Sequence, residues 1–338
     1  MRDLHGDAVA GVVKADAYGL GAADIVPALA KAGCRHFFVA NLAEALPLRD
    51  LAPDADIAVF NGLCEADIGL FVKHRILPVL NTLGEVALWA AAAREAGRRL
   101  PALLHVDTGM ARLGLDRREL AALAADHARL DGIGLRYVMT HLASAEISDA
   151  TDNARQAARF AEARASLPPA PGSFANSSGI FLGGGFRSDL ARPGAALYGV
   201  NPTPGRDNPM RPVVTLRARV LQVRDLGAGE AVGYNGTWRA KRPSRIATVG
   251  VGYADGWLRA QSNRGMAFFD GGPVPLVGRV SMDLATYDVT DQPGVEPGAC
   301  LELIGPNAPL ERVAEAAGTN GYEILTSLGA RYQRVHHL

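Results

Sequence analysis

Lys14 is the residue in this chain whose type and position most readily do chemistry. It closes an apolar, valine-rich run (8–14) and is followed at once by Ala15-Asp16-Ala17-Tyr18-Gly19-Leu20-Gly21. Such a run reads as a strand buried on both faces. A lysine at its carboxyl end, just before a βα turn, stands where α/β proteins place ligands. Burying an ammonium group is costly and needs a reason. A Schiff base to an aldehyde cofactor is one reason and an ordinary salt bridge is another; the segment alone leaves both open. Further reactive types fall at the ends of later apolar runs: His105, Asp107-Thr108-Gly109 and Arg112; then His141; then Asn176-Ser177-Ser178-Gly179; then Arg192-Pro193-Gly194. A lysine, two arginines, two histidines and a Ser/Gly loop suit an anionic ligand that carries a phosphate and an aldehyde. Singly, each has a plainer reading. Ser177-Ser178-Gly179 can be a turn and an N-cap, Arg192 a partner for Asp189, Asp107 a loop brace, and His141 a structural histidine. The argument rests on their convergence.

The elements that must bring them together are legible as a texture. Short apolar runs recur at 8–14, 36–40, 57–60, 76–80, 102–106, 135–140, 173–176 and 195–200, with alanine-rich helical segments such as 85–96 and 152–167 between most of them. Repeated βα units imply a parallel sheet with right-handed crossovers. Eight such units in roughly 200 residues predict a closed (β/α)8 TIM-like barrel, with an open doubly wound sheet as the alternative. In a barrel the strands' carboxyl ends meet on one face, which would gather the residues named above. The texture changes after Asn201-Pro202-Thr203-Pro204-Gly205, a Pro/Gly linker. Alternating β-branched runs follow at 213–223, 245–251, 266–269, 274–277, 284–289 and 300–304, with one helical segment at 310–317. The expected organisation is a barrel over 1–205 and a C-terminal, mainly-β domain over 206–338. That domain holds Gly252-Tyr253-Ala254-Asp255-Gly256, a tyrosine between glycines, where a Gly-rich backbone lets another surface approach closely. A β-bulge with a half-buried aromatic is the plainer reading.

Charge is balanced, with 35 basic and 35 acidic residues, which gives no electrostatic footprint for nucleic acid or a membrane surface. No uninterrupted apolar stretch reaches the length of a membrane span. The N-terminus lacks a signal-peptide apolar region. The three cysteines are far apart and odd in number, and no CxxC or HExxH pattern occurs, so neither a disulfide framework nor a metal site is expected. These features predict a cytoplasmic protein.

The motifs together resemble those of the bacterial alanine racemases. The resemblance runs from Val13-Lys14-Ala15-Asp16-Ala17-Tyr18-Gly19 through Asp107-Thr108-Gly109-Met110-Ala111-Arg112-Leu113-Gly114, Thr140-His141-Leu142-Ala143-Ser144-Ala145-Glu146, Ala175-Asn176-Ser177 and Arg192-Pro193-Gly194. It ends with Gly252-Tyr253-Ala254-Asp255-Gly256 and Gly278-Arg279-Val280-Ser281-Met282-Asp283. It implies a homodimeric pyridoxal 5'-phosphate (PLP) enzyme that interconverts L- and D-alanine by a two-base mechanism and supplies D-alanine for peptidoglycan. Lys14 would carry the cofactor and act as one base, and Tyr253 of the partner subunit would be the other. Arg192 would face the pyridine nitrogen, with His141 orienting it. Arg112 would meet the cofactor phenolate oxygen and the substrate carboxylate, which the Met282 backbone also helps bind. Tyr18, Asn176, Ser177 and the Gly194–Ala195 backbone would hold the cofactor, mainly at its phosphate, while Glu146 and Arg279 would line the narrow approach. Two departures stand out. Many family members have a carbamylated lysine at the position of His105, a modification that histidine does not take. Only thirteen residues precede Lys14, fewer than the usual helix and strand, so the chain is expected to start late. A PLP-dependent decarboxylase and a non-enzymatic PLP-binding protein are the alternatives, disfavoured by the Gly-Tyr-Ala-Asp-Gly segment and by the length of the β domain.

Overall fold

A computed structural model describes residues 1–6 and 8–336. The chain divides into two compact units. The first comprises Met1–Ala17, Gly21–Leu197 and Asn201–Pro209; the second comprises Tyr18–Leu20, Tyr198–Val200 and Met210–Leu338.

The first unit is built on seven parallel strands in sequential order: β1 (Gly11–Val12), β2 (His36–Val39), β3 (Asp56–Val59), β4 (Ile76–Leu80), β5 (Leu100–His105), β6 (Ile133–Met139) and β7 (Gly172–Ser173). Sequential order without reversal is what a chain of right-handed βα crossovers produces. Helices Ala22–Lys31, Leu42–Leu51, Ile68–Lys73, Leu83–Glu95, Arg117–Ala125 and Thr151–Ala165 make the crossovers. The strand interiors are apolar because both faces are covered: all five residues of β4 are buried, as are Leu103 and Leu104 of β5 and Val138 and Met139 of β6. Helix starts are fixed locally. Asn41 and Thr82 accept the backbone N–H of Glu44 and Glu85, and Asp116 forms a capping box with Glu119.

The ring is completed by a short segment. Leu190 bridges Ser173 and Ala191 bridges Val9, both in parallel sense. Backbone bonds from Ala10 to Ala191 (2.8 Å) and from Val12 to Pro193 (3.1 Å) seal the seam. The eighth strand-like unit therefore sits at Leu190–Ala191, not at 195–200, where Ala195–Tyr198 forms a 3-10 turn. An apolar sequence was misleading there: those residues are mostly buried, but the backbone turns instead of extending, and Gly199 takes φ 81°.

The second unit is a six-stranded antiparallel sheet. Its strands are β8 (Leu216–Leu226), β11 (Ser244–Val249), β12 (Met266–Phe269), β13 (Gly272–Pro275), β14 (Ala285–Asp288) and β15 (Cys300–Ile304), in the order β13-β12-β15-β8-β11-β14. A two-stranded ribbon pairs β9 (Ala231–Val232) with β10 (Trp238–Arg239). The first six residues of β8 alternate buried and exposed, the pattern of a sheet with one wet face. The outermost strands meet through a bridge from Leu276 to Tyr287, so the sheet curls back on itself. The helices Leu310–Ala317 and Gly321–Ser327 follow.

Leu104 is fully buried near the carboxyl end of β5. Leu104→Ala is expected to cost about 2–5 kcal/mol through lost burial and a residual cavity, read as a lower denaturant midpoint in equilibrium unfolding.

Candidate active site

Lys14 follows β1 by two residues, and the backbone beyond it turns the wrong way round. Ala15, Asp16, Ala17 and Tyr18 all have φ between 53° and 56°, a left-handed turn made without glycine. L-residues pay about 1–2 kcal/mol each for that conformation, so the surrounding structure must hold it. Glu44 accepts the Ala15 N–H at 2.7 Å and the Ala40 N–H at 2.8 Å, Asp16 accepts the Ala22 N–H at 2.7 Å, and the Ala17 N–H reaches the Val13 carbonyl. A turn pinned at both ends fixes the direction in which the Lys14 side chain leaves the strand. The Lys14 ammonium is pushed below its ordinary pKa by burial first and by the Arg112 charge second, with Glu44 opposing.

Arg192 is almost wholly buried and has no carboxylate partner among the described residues. Its two terminal nitrogens donate at 2.6 Å to Ser173 Oγ and to the Thr140 carbonyl, while Nε is buried with no acceptor. Asp189, a conceivable partner, instead accepts the Gly172 N–H and lies 3.6 Å from Arg164. The His141 ring makes no hydrogen bond to Arg192 among the described residues, but it feels the cation: burial first and Arg192 second push His141 down to about 3. His105 is held down to about 4 by burial, Arg192 and Arg112, against the pull of Asp107. Lys14, His105, Arg112, His141 and Arg192 are thus one electrostatic cluster, positive in sum.

Arg112 is exposed and makes no hydrogen bond or ion pair with another described residue. Its loop is shaped from beneath: the Asp107 carboxylate accepts the N–H groups of Gly109, Met110 and Ala111 at 2.9–3.2 Å. Gln156, buried in the helix Thr151–Ala165, donates to Thr108 Oγ1 and the His141 carbonyl and accepts from Ala143, tying the loops after β5 and β6 together.

Ser177 Oγ accepts from the backbone N–H of Gly194 (3.0 Å) and of Ala196 (3.2 Å). With both lone pairs used, its hydroxyl proton points elsewhere. Asn176 Oδ1 accepts the Gly179 N–H, a brace for the turn. Tyr18 packs against the ring of Tyr198 at 4.6 Å and edge-on to Tyr322, and burial pushes its phenol up to about 12. Glu146 is exposed.

In the second unit, the Tyr253 loop is stitched to the loop of Met282. Tyr253 N–H donates to the Ser281 carbonyl at 3.0 Å and Ala254 N–H to the Met282 carbonyl at 2.9 Å. Gly252 is required for this approach, since a Cβ there would lie 2.3 Å from the Met282 oxygen. Buried Asp255 accepts the Gly252 N–H, and Arg331 pairs with Asp255 at 3.0 Å and with Asp283 at 2.8 Å, clamping both loops. Tyr253 itself is 44% exposed, Met282 is 54% exposed and Arg279 is half-buried. Motif reading missed Glu44, Asn81, Gln156 and Arg331. Asn81 alone carried a signal, its place directly after the fourth apolar run.

A barrel with a half-buried lysine of depressed pKa and two arginines without a carboxylate partner among the described residues at its strand ends is suited to an enzyme that takes an anionic cofactor. Family models match in two consecutive parts: "Alanine racemase, N-terminal domain" over residues 1–202 and "Alanine racemase, C-terminal domain" over 213–336. The alanine racemase of Acidiphilium cryptum is 59% identical over 98% of this chain and 92% of its own length. The crystal structure of alanine racemase from Bartonella henselae, with covalently bound pyridoxal phosphate, superposes with a TM-score of 0.95 at 43% identity, covering 99% of this chain and 94% of that one. The biosynthetic alanine racemase of Pseudomonas aeruginosa has a TM-score of 0.91 at 34% identity, with 99% and 94% coverage. The chain belongs to the alanine racemase family.

His105 and His141 stay neutral when folded at pH values where unfolded histidine takes up a proton, so their stabilisation is present above the unfolded value near 6.5 and is lost as pH falls towards about 4. Stability in urea is expected to drop over that window by on the order of 1 kcal/mol per pH unit for each histidine. Denaturation curves collected between pH 7 and 4.5 check it.

Proposed function

We propose that this protein is a PLP-dependent alanine racemase, interconverting L- and D-alanine as a cytoplasmic homodimer and supplying D-alanine for peptidoglycan, with the barrel taken as 1–205 and the β domain as 206–338. One observation carries the site assignment: the buried Arg192 Nε–H, held by Ser173 and Thr140 at the other end of its guanidinium and left without an acceptor. A pyridine nitrogen is an acceptor of the type that this donor lacks, and the rest of the donor set fits an anionic cofactor. When bound, PLP supplies an electron sink that makes the α-hydrogen of an amino acid acidic.

The chain's own groups then divide the work. Lys14 holds the cofactor, and its amine, kept below its ordinary pKa by burial and by Arg112, exchanges a proton at Nζ on one face of the substrate α-carbon. Tyr253 of the partner subunit exchanges a proton at Oη on the opposite face; racemisation needs a base on each side. Arg192 would offer its Nε–H to the cofactor's ring nitrogen and so leave that nitrogen unprotonated, which would temper the electron sink and favour simple proton return. Arg112 and the Met282 backbone bind the substrate carboxylate. The Ser177 hydroxyl, the Tyr18 hydroxyl and the Gly194–Ala195 backbone would hold the phosphate, the Gly194 N–H exchanging Ser177 Oγ for it, braced by Asn176. His141 contributes a neutral ring beside Arg192. Glu146 and Arg279 line the approach and admit only small amino acids.

Lys14→Ala is expected to abolish the borohydride-sensitive absorbance of bound cofactor in the purified protein; a retained band would assign the cofactor to another lysine. Tyr253→Ala is expected to keep that band while slowing α-hydrogen exchange from L-alanine by about 10²–10⁴-fold, with a smaller effect on D-alanine. Equal slowing of both enantiomers, read by deuterium incorporation, would remove the two-base assignment.

A further inference from the structure

Asn81 follows β4 directly and meets His105, the last residue of β5. Its amide is oriented by its donors: Nδ2 gives one N–H to the Phe60 carbonyl and the other to the Val79 carbonyl, each at 3.0 Å. Turning the amide over would set its oxygen against two carbonyl oxygens, so the network fixes Oδ1 as the atom 2.8 Å from His105 Nδ1. An amide oxygen only accepts, so Nδ1 carries the ring proton and Nε2 is left as a lone pair. No other described residue hydrogen-bonds to that ring. The ionisable groups acting on it are Arg192, Arg112, Asp107 and, through mutual repulsion, His141. The cations dominate, and no carboxylate is bonded to Nδ1 to promote a second proton. Arg112, for its part, has no acceptor of its own among the described residues.

We propose that Asn81 and His105 form a positioning pair for Arg112: Asn81 locks His105 as the neutral Nδ1–H tautomer, and the ring offers Nε2 as the acceptor that aligns the Arg112 guanidinium for the substrate carboxylate. The proposal rests on the role of Arg112 given above. It differs from a charged orienting group in one consequence. A neutral acceptor steadies the guanidinium without cancelling its charge, so the full cation remains for the substrate. Because burial and the two arginines keep His105 neutral down to about 4, this alignment does not titrate in the range where the enzyme is assayed.

Two readouts test it on the PLP-loaded enzyme. In long-range proton–nitrogen NMR with ¹⁵N-histidine, the His105 signals, identified by their loss in His105→Asn, are expected to show the Nδ1–H tautomer unchanged from pH 6 to 8. An Nε2–H tautomer, or titration within that range, would overturn the proposal. In kinetics, His105→Asn retains an N–H for Asn81 but has no acceptor beyond it, while His105→Gln reaches the place of Nε2 with an amide oxygen. The asparagine variant is expected to raise KM for alanine on the order of tenfold, the loss of one charge-assisted hydrogen bond, with kcat less affected. The glutamine variant is expected to restore most of that loss. Equal KM in the two variants would mean that His105 only fills space, and would refute the pair. Retention of the cofactor band in Lys14→Ala is the separate result that would refute the site itself, so the two failures are distinguishable.

Discussion

Uncompensated positive charge at the carboxyl ends of the barrel strands is the constraint on which the rest of this site depends. Arg112 acts on Lys14, and both arginines act on His105 and His141, while the carboxylates at hand are bonded largely elsewhere: Glu44 and Asp107 to backbone N–H groups, Asp189 to Gly172 and Arg164. Bringing cations together in a low-dielectric cleft is unfavourable by itself. Part of it is met by neutral acceptors: the two terminal nitrogens of Arg192 by a hydroxyl and a carbonyl, and His105 by an amide, while Arg192 Nε is left without one. The unfavourable charge is then available to an anionic cofactor and a carboxylate substrate, and burial together with the same field keeps both histidines neutral.

Rigidity around this charge is achieved by backbone devices more than by side-chain packing. The left-handed turn from Ala15 to Tyr18 is costly, yet it ends the strand without letting the lysine swing away, and it is tied to two helix starts, by Glu44 to Ala15 and by its own Asp16 to Ala22. The Asp107 carboxylate plays the same part for the Arg112 loop by gathering three N–H groups. In the second unit, two loops share backbone bonds and a single arginine, so Tyr253 and Met282 keep a fixed spacing.

The sequence showed much of this, but not all. Buried parallel strands betray themselves as continuous apolar runs, so β2 to β6 and the reactive residues at their ends were readable, as was the change to alternating texture in the second unit. The eighth unit was misplaced because 195–200 has the composition of a strand while Leu190–Ala191 is too short to have any periodicity. The left-handed turn was invisible, since nothing in Ala-Asp-Ala-Tyr favours positive φ; tertiary bonds impose it. Glu44, Asn81, Gln156 and Arg331 were missed for a common reason. Each acts on a site residue distant in sequence, and each belongs to a type that is ordinary on helix starts, strand ends or surfaces. The resemblance named Arg192, yet its partners, Ser173 and the Thr140 carbonyl, became known only from geometry.

The seam of the barrel bears on how the protein is made. The strand before the lysine pairs with β2, close to it in sequence, but its other edge has no partner until Leu190 to Pro193 have been made. For most of the synthesis of the barrel, that edge presents free backbone groups beside an apolar run, the kind of surface that pairs with the wrong chain. The second unit repeats the pattern, since the loops of Tyr253 and Met282 are clamped by Arg331, which follows both of them. The barrel seam and the paired loops of Tyr253 and Met282 are thus each closed by a segment that follows them in the chain.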